Sequence, residues 1–288
     1  MTTLIREDEI RFPARDGYSL CGRIIAPDAP RAAVLISSGT GYPKGLYRRI
    51  ALAGAERGYA SLIYDYRGIA GSAPDRLRGF KADILDWGRL DFPAALERAA
   101  ELVPDRPLFT LGHSVGGHLV GFADNANRAR AHAFICCGSG YWGKHLAHYR
   151  ARVLFFWRVY GPACLALKGY LPGGGMWGGT ALPREVFLQW KRWCFMPGYF
   201  GDDGDIVAEA GFDSVAGPIR AYRFTDDPIA TETSVAALHR LYSAASIETR
   251  IIAPADLGMD AVGHAGAFKR GAEAFWPMPF EDFDALID

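Results

Sequence analysis

An α/β fold is predicted for this chain: a mainly parallel sheet with helices on both faces, interrupted once by a helical insertion. Three observations predict it. Short apolar runs rich in branched residues recur at residues 32–37, 60–64 and 108–111, as in strands buried on both faces. Segments with helical spacing alternate with them, which implies right-handed crossovers between parallel strands. The alternation stops at about Gly138 and resumes at Pro218.

Residues 9–12 and 19–26 read as two strands joined through Arg15-Asp16-Gly17-Tyr18, where Asp-Gly is a hairpin turn signal. Residues 27–31 are a turn. The third strand, 32–37, runs into Ser38-Gly39-Thr40-Gly41-Tyr42-Pro43. Small residues leaving the C-terminal end of a parallel strand suit backbone N–H donors, or simply connect a strand to a helix. A helix follows over 47–57, stopped by Gly58. The strand 60–64 leads to Asp65-Tyr66-Arg67-Gly68, where Asp65 and Arg67 brace the loop by pairing with backbone or with each other; Arg is too basic to serve as a catalytic base. A long helix over 84–102 ends at Pro104.

The next strand ends in Gly112-His113-Ser114-Val115-Gly116-Gly117, with a helix expected over 118–124. Strand, tight turn with a central Ser, then helix is the form of a nucleophile elbow. Such a turn is strained, so Gly112 and Gly116 must be small where backbones cross. The following helix points its N-terminus at the Ser and favours negative charge there. A strand over 133–137 comes next.

Residues 139–216 are expected to form an inserted helical cap, with helices at about 145–160 and 184–194 and a break at Gly173-Gly174-Gly175. Its aromatics suit packing against the body and, together, an apolar roof over a pocket. Tyr42, His113, Trp142, Phe156, Tyr160 and Trp190 are the candidate pocket residues. His145 and His148 are expected at the surface, without enough neighbours for a metal site. Residues 1–138 and 217–288 form the core around this insertion.

Regular alternation returns with a strand at 219–224, a helix at 231–244, a strand at 248–253, and a final helix at about 267–274. Asp226-Asp227-Pro228-Ile229 follows one late strand and Gly263-His264 the next. Ser, then Asp, then His along the chain is the order this topology requires of a triad.

Of the 288 residues half are hydrophobic, and 32 Lys and Arg balance 32 Asp and Glu. A neutral chain without a basic run argues against a nucleic-acid surface. Five cysteines, an odd number with no C-x-x-C, read as free thiols in a reducing compartment. The charged start, Met1 to Asp8, has no signal core, and the apolar stretch 153–166 is too interrupted to span a bilayer. A soluble, cytoplasmic protein without metal or cofactor is expected.

With these motifs in place, the chain resembles the α/β-hydrolase superfamily from first hairpin to last helix, and within it the serine aminopeptidase and monoacylglycerol lipase branch. The carrying motifs are Ser38-Gly39-Thr40-Gly41, Asp65-Tyr66-Arg67-Gly68, Gly112-His113-Ser114-Val115-Gly116-Gly117, Asp226-Asp227-Pro228-Ile229 and Gly263-His264. Two departures stand out: Ser38-Gly39 where the oxyanion loop often opens His-Gly, and Ala70 at the last glycine of the Asp-x-Arg-Gly-x-Gly loop. The resemblance implies an eight-stranded sheet and a serine hydrolase acting on a small-molecule ester, with Ser114 as nucleophile, His264 as base and Asp227 as acid. Asp226 is the alternative acid or a support for the loop. The implied oxyanion donors are the backbone N–H groups of Val115 and Thr40, with Gly41 as alternative to Thr40. Thioester hydrolysis or acyl transfer would use the same elbow. An aminopeptidase would need acids at the pocket mouth, for which Glu185, Asp202, Asp203 and Asp205 are candidates. A binding-only protein would lack a triad member.

Overall fold

The computed structural model describes residues 4–287, Ala208 in backbone only. The first residues of the stretch read for a signal, Met1 to Thr3, lie outside that range. Eight strands form one sheet in the order β1-β2-β4-β3-β5-β6-β7-β8: β1 Ile5–Pro13, β2 Ser19–Pro27, β3 Ala32–Ser37, β4 Tyr59–Asp65, β5 Leu108–His113, β6 Ala131–Ile135, β7 Ile219–Phe224 and β8 Ile247–Ile252. The β1/β2 and β2/β4 pairs are antiparallel and all others parallel. β3, β4 and β5 are buried along their whole length, in keeping with their mostly apolar runs. β1 starts at Ile5, earlier than its apolar residues suggest, because it is an edge strand whose outward positions are charged.

Helices α1 (Arg48–Glu56) and α8 (Met278–Asp284) cover one face, where Ile50, Ala51, Phe280 and Phe283 share a core with β3 and β5. On the other face lie α2 (Phe92–Ala100) and α3 (Val115–Phe122), with Trp87, Phe92, Leu96 and Leu119 in a second core. The expected single helix over 84–102 contains a π-helical turn at Trp87–Asp91 before α2. The π turn aims Asp91 inward, and Asp91 Oδ1 and Oδ2 accept from Arg67 Nε (2.7 Å) and Arg67 N–H (2.8 Å). The other end of Arg67 pairs with Asp16 in the first hairpin turn, and Asp65 pairs with Lys44, so the two residues brace their loop through separate partners and not each other. Burial pushes the Asp91 carboxyl up and Arg67 opposes the rise. Asp91→Ala leaves the buried Arg67 guanidinium without its inner partner and is expected to cost about 3–5 kcal/mol in urea unfolding; a loss under 1 kcal/mol would contradict this bracing role.

Between β6 and β7 the chain is helical: α4 Ala147–Phe155, α5 Gly161–Lys168 and α6 Arg184–Cys194. Gly161-Pro162 does not end the helix. A π turn at Phe156–Tyr160 precedes it and Pro162 falls in the first turn of α5, where its missing N–H is not needed. Leu171 and Leu182 form an isolated antiparallel bridge below the glycine-rich loop. Phe156, Trp157, Phe187 and Trp193 from this segment join the core cluster of α2 and α3.

Two late helices differ from expectation. α7 spans only Glu232–His239, with Thr231 capping the Ser234 N–H. The expected helix over 267–274 is a single 3₁₀ turn at Gly266–Phe268 followed by turns, with Gly271 at φ +98°; α8 begins after Pro277, with Pro279 in its first turn. The elbow helix α3 begins directly after Ser114, earlier than the expected His118.

Candidate active site

Ser114 joins β5 to α3 with φ +52° and ψ −117°, a strained conformation for a residue with a side chain. Two glycines permit it. A Cβ on Gly112 would lie 2.5 Å from the backbone of Gly116 and Gly117, and one on Gly116 would lie 2.4 Å from Ser37 O. The Ser114 N–H donates to Ile135 O (3.0 Å), which ties the turn to β6.

His264 arrives on the loop after β8. Its Nε2 is 3.0 Å from Ser114 Oγ, and its Nδ1 is 2.8 Å from Asp227 Oδ2. The carboxylate accepts from Nδ1–H, so Nε2 presents a lone pair to the Ser114 hydroxyl; this tautomer follows from the hydrogen-bond network. Asp227 Oδ1 accepts the N–H groups of Ile229 (2.8 Å) and Ala230 (3.0 Å). Burial alone would raise the Asp227 carboxyl, but His264 and these hydrogen bonds outweigh it and hold it at about 2. Asp226 turns away from the ring. Its Oδ2 accepts the N–H groups of Val262 (2.8 Å) and Gly263 (2.9 Å), fixing the loop that carries His264.

A second hydrogen-bonded chain runs beneath. The Gly39 N–H donates to Tyr47 Oη (2.7 Å), Tyr47 O–H to His113 Nδ1 (2.7 Å), and His113 Nε2–H to the His264 carbonyl (2.8 Å). Burial pulls the His113 imidazole down to about 3, so it stays neutral and keeps these roles. His113 is therefore a buried strut between two loops and forms no part of the cavity wall, unlike its expected place in the pocket.

His113, Cys136 and His264 each bring a nitrogen or sulfur within 4.8 Å of the others, a spacing that suits a metal. Both nitrogens of both rings already hold the partners just described, so a metal there would dismantle the Ser114–His264–Asp227 contacts.

A cavity of about 960 Å³, counting its open mouth, lies over Ser114 and His264. Thr40, Tyr42, Val115, Phe156 and Trp190 line it, as expected for an apolar pocket with few polar groups. Gly41 does not; its carbonyl accepts from Thr180 N–H (2.8 Å) and Oγ1–H (3.0 Å), and Trp177 packs over it. Trp142 and Tyr160 also lie off the wall: Trp142 is beside Tyr141, and Tyr160 stacks behind Phe156. His145 is buried in the wall instead of at the surface, where His148 remains. Sequence reasoning also missed His118, Tyr149 and Arg152 as lining residues. The one available signal was spacing: residues 149, 152, 153 and 156 fall on one face at helical intervals.

The strand order, with an elbow after β5, defines a fold class that solved structures share. Residues 28–168 match the family model described as serine aminopeptidase, S33. Among solved structures, the Pyrococcus furiosus esterase Pf2001 is similar at TM-score 0.61 and 14% identity, over 99% of this chain and 94% of that one. DcsB, solved with a substrate analogue, is similar at TM-score 0.66 and 16% identity, over 98% and 99% of the two chains. The thioesterase domain from the curacin biosynthetic pathway reaches TM-score 0.55 at 15% identity, over 96% and 99%. No curated protein matches the chain by sequence. The chain has the α/β-hydrolase fold of these structures.

Proposed function

We propose that this protein is a serine hydrolase that cleaves a carboxylic ester of a lipophilic substrate through an acyl-enzyme. The observation that carries the reading is the unbroken chain from Ser114 Oγ through the His264 ring to Asp227, at 3.0 and 2.8 Å. His264 Nε2 takes the hydroxyl proton as Ser114 Oγ bonds to the ester carbonyl carbon. Asp227 holds the ring and stabilises its cation. The backbone N–H groups of Val115 and Thr40 receive the developing oxyanion. Thr40 is favoured over Gly41 because it lines the cavity with Val115. Collapse of the intermediate releases the alcohol with the proton from His264. Water, deprotonated by the same ring, then frees the acid and restores Ser114. Residues 139–216 act in this reading as a cap that closes an apolar site over the core.

The same residues serve a thioester, which differs only in its leaving group. An aminopeptidase is disfavoured: among the described cavity-lining residues there is no Asp or Glu to hold a substrate amine. Glu185 pairs with Lys81 and Arg184, Asp203 with Arg192, and Asp202 accepts from Gly198 N–H.

4-Nitrophenyl esters from acetate to decanoate are the test. Turnover is expected, together with a fluorophosphonate adduct on Ser114; no turnover of any chain length, or an adduct elsewhere, overturns the reading. The two neighbouring acids separate in the same assay. Asp227→Asn is expected to lower kcat about 10⁴-fold. Asp226→Ala only loosens the His264 loop and is expected to lower it roughly 10- to 100-fold.

A further inference from the structure

Polar groups are unevenly placed around the cavity over Ser114. Its wall is mostly aromatic and aliphatic, and Arg152 is the one Lys, Arg, Asp or Glu among the described lining residues. Among the described residues Arg152 has no carboxylate partner. It lies on α4, Tyr149 lies one turn earlier on the same helix, and His145 sits in extended backbone just before α4 begins; all three line the cavity. His145 is 5% exposed, and neither ring nitrogen has a partner. Burial pulls that imidazole down to about 4, so it is neutral and carries one N–H. A guanidinium, a phenol and an imidazole N–H make a row of donors with no matching anion. The buried His145 donor is costly to leave unpaired, and at the exposed rim a charged acceptor suits the Arg152 guanidinium better than a neutral one.

Within the hydrolase reading above, we propose that the row Arg152, Tyr149 and His145 binds a carboxylate at the far end of the acyl chain, so that the preferred substrates are monoesters of dicarboxylic acids. The apolar wall formed by Phe156, Trp157 and Trp190 takes the methylene chain, while Ser114 and His264 meet the ester carbonyl. The carboxylate then replaces its lost hydration with hydrogen bonds from the cap, and a neutral chain of equal length leaves those donors unpaired.

The test compares 4-nitrophenyl hydrogen adipate, suberate and sebacate with their methyl 4-nitrophenyl diesters. For at least one chain length, the free-acid ester is expected to have a kcat/KM at least ten-fold higher, chiefly through KM. Arg152→Gln, at an exposed position that spares the fold, is expected to erase that preference, and Arg152→Lys to keep part of it. Equal kcat/KM for acid and diester at every length, or a preference that survives Arg152→Gln, overturns the proposal. Butyryl-CoA against S-butyryl-N-acetylcysteamine forms a second arm. An Arg152-dependent preference there, without one among the dicarboxylates, overturns the carboxylate in favour of a phosphate. If no ester is hydrolysed, the hydrolase reading fails separately, and titration calorimetry of monomethyl suberate into Ser114→Ala still decides. Binding weakened ten-fold or more by adding Arg152→Gln upholds the anion site, whereas no binding, or binding indifferent to that change, overturns it.

Discussion

Ser114→Ala is expected to lower kcat for 4-nitrophenyl esters about 10⁵- to 10⁶-fold, with KM changed little. Methyl for hydroxymethyl removes the atom that bonds to the carbonyl carbon, and His264 loses its 3.0 Å partner. The cavity wall and the φ +52° backbone persist, because Ala tolerates that conformation about as well as Ser does. Substrate binding therefore survives while the acyl-enzyme route closes. Residual catalysis would come from the oxyanion donors alone, roughly 10³-fold over water. Adding His264→Ala to this variant should cost little more, because the two side chains act as one unit. Measurable activity within ten-fold of wild type would exclude Ser114 as the nucleophile.

The second large effect is on the fold. Gly116→Ala is expected to destabilise the protein by roughly 3 kcal/mol, at the upper end of overpacking costs. For a chain of this size that is a fall in melting temperature of about 6–12 °C. The added Cβ would lie 2.4 Å from Ser37 O, 2.9 Å from Ser37 C and 3.0 Å from Ser38 O. Those are backbone atoms at the end of β3, a strand paired on both sides, so no rotamer change relieves the clash. Any relief must separate α3 from β3, and that moves both Ser114 and the Thr40 loop. Activity should thus fall with stability. Gly45→Ala is the control: a Cβ there meets nothing within 4 Å, and the change should stay within about 0.5 kcal/mol. Equal melting temperatures for the two variants would contradict the crossing geometry at the elbow.

Much of the sheet was legible because a strand buried on both faces must be mostly apolar, and β3, β4 and β5 are, with Asp65 and His113 at the C-terminal ends of β4 and β5. Helix boundaries were less so. Residues 267–274 look helical by composition, yet they form a single 3₁₀ turn followed by turns, with Gly271 at positive φ. The π turns at Trp87 and Phe156 leave no mark in hydrophobic spacing, since one extra residue per turn shifts the pattern no more than ordinary scatter does. His145 and His148 are three positions apart with the same chemistry. His145 is buried because the extended backbone just before α4 sets it in the cavity wall, while His148 lies on the exposed side of the first turn of α4; both depend on how the segment lies over the body.

By itself the order of residues determined which side chains were candidates for chemistry. Gly-x-Ser-x-Gly after a buried strand, an Asp after one late strand and a His after the next are local patterns, written by turn sterics and strand burial. Only the tertiary structure decided their distances and their division of labour. Asp226 and Asp227 are neighbours in the chain, yet one accepts from the loop backbone and the other from the imidazole. That choice belongs to the relative position of β7 and β8 and to the loop N–H groups they bring to each acid, Ile229 and Ala230 for Asp227 and Val262 and Gly263 for Asp226.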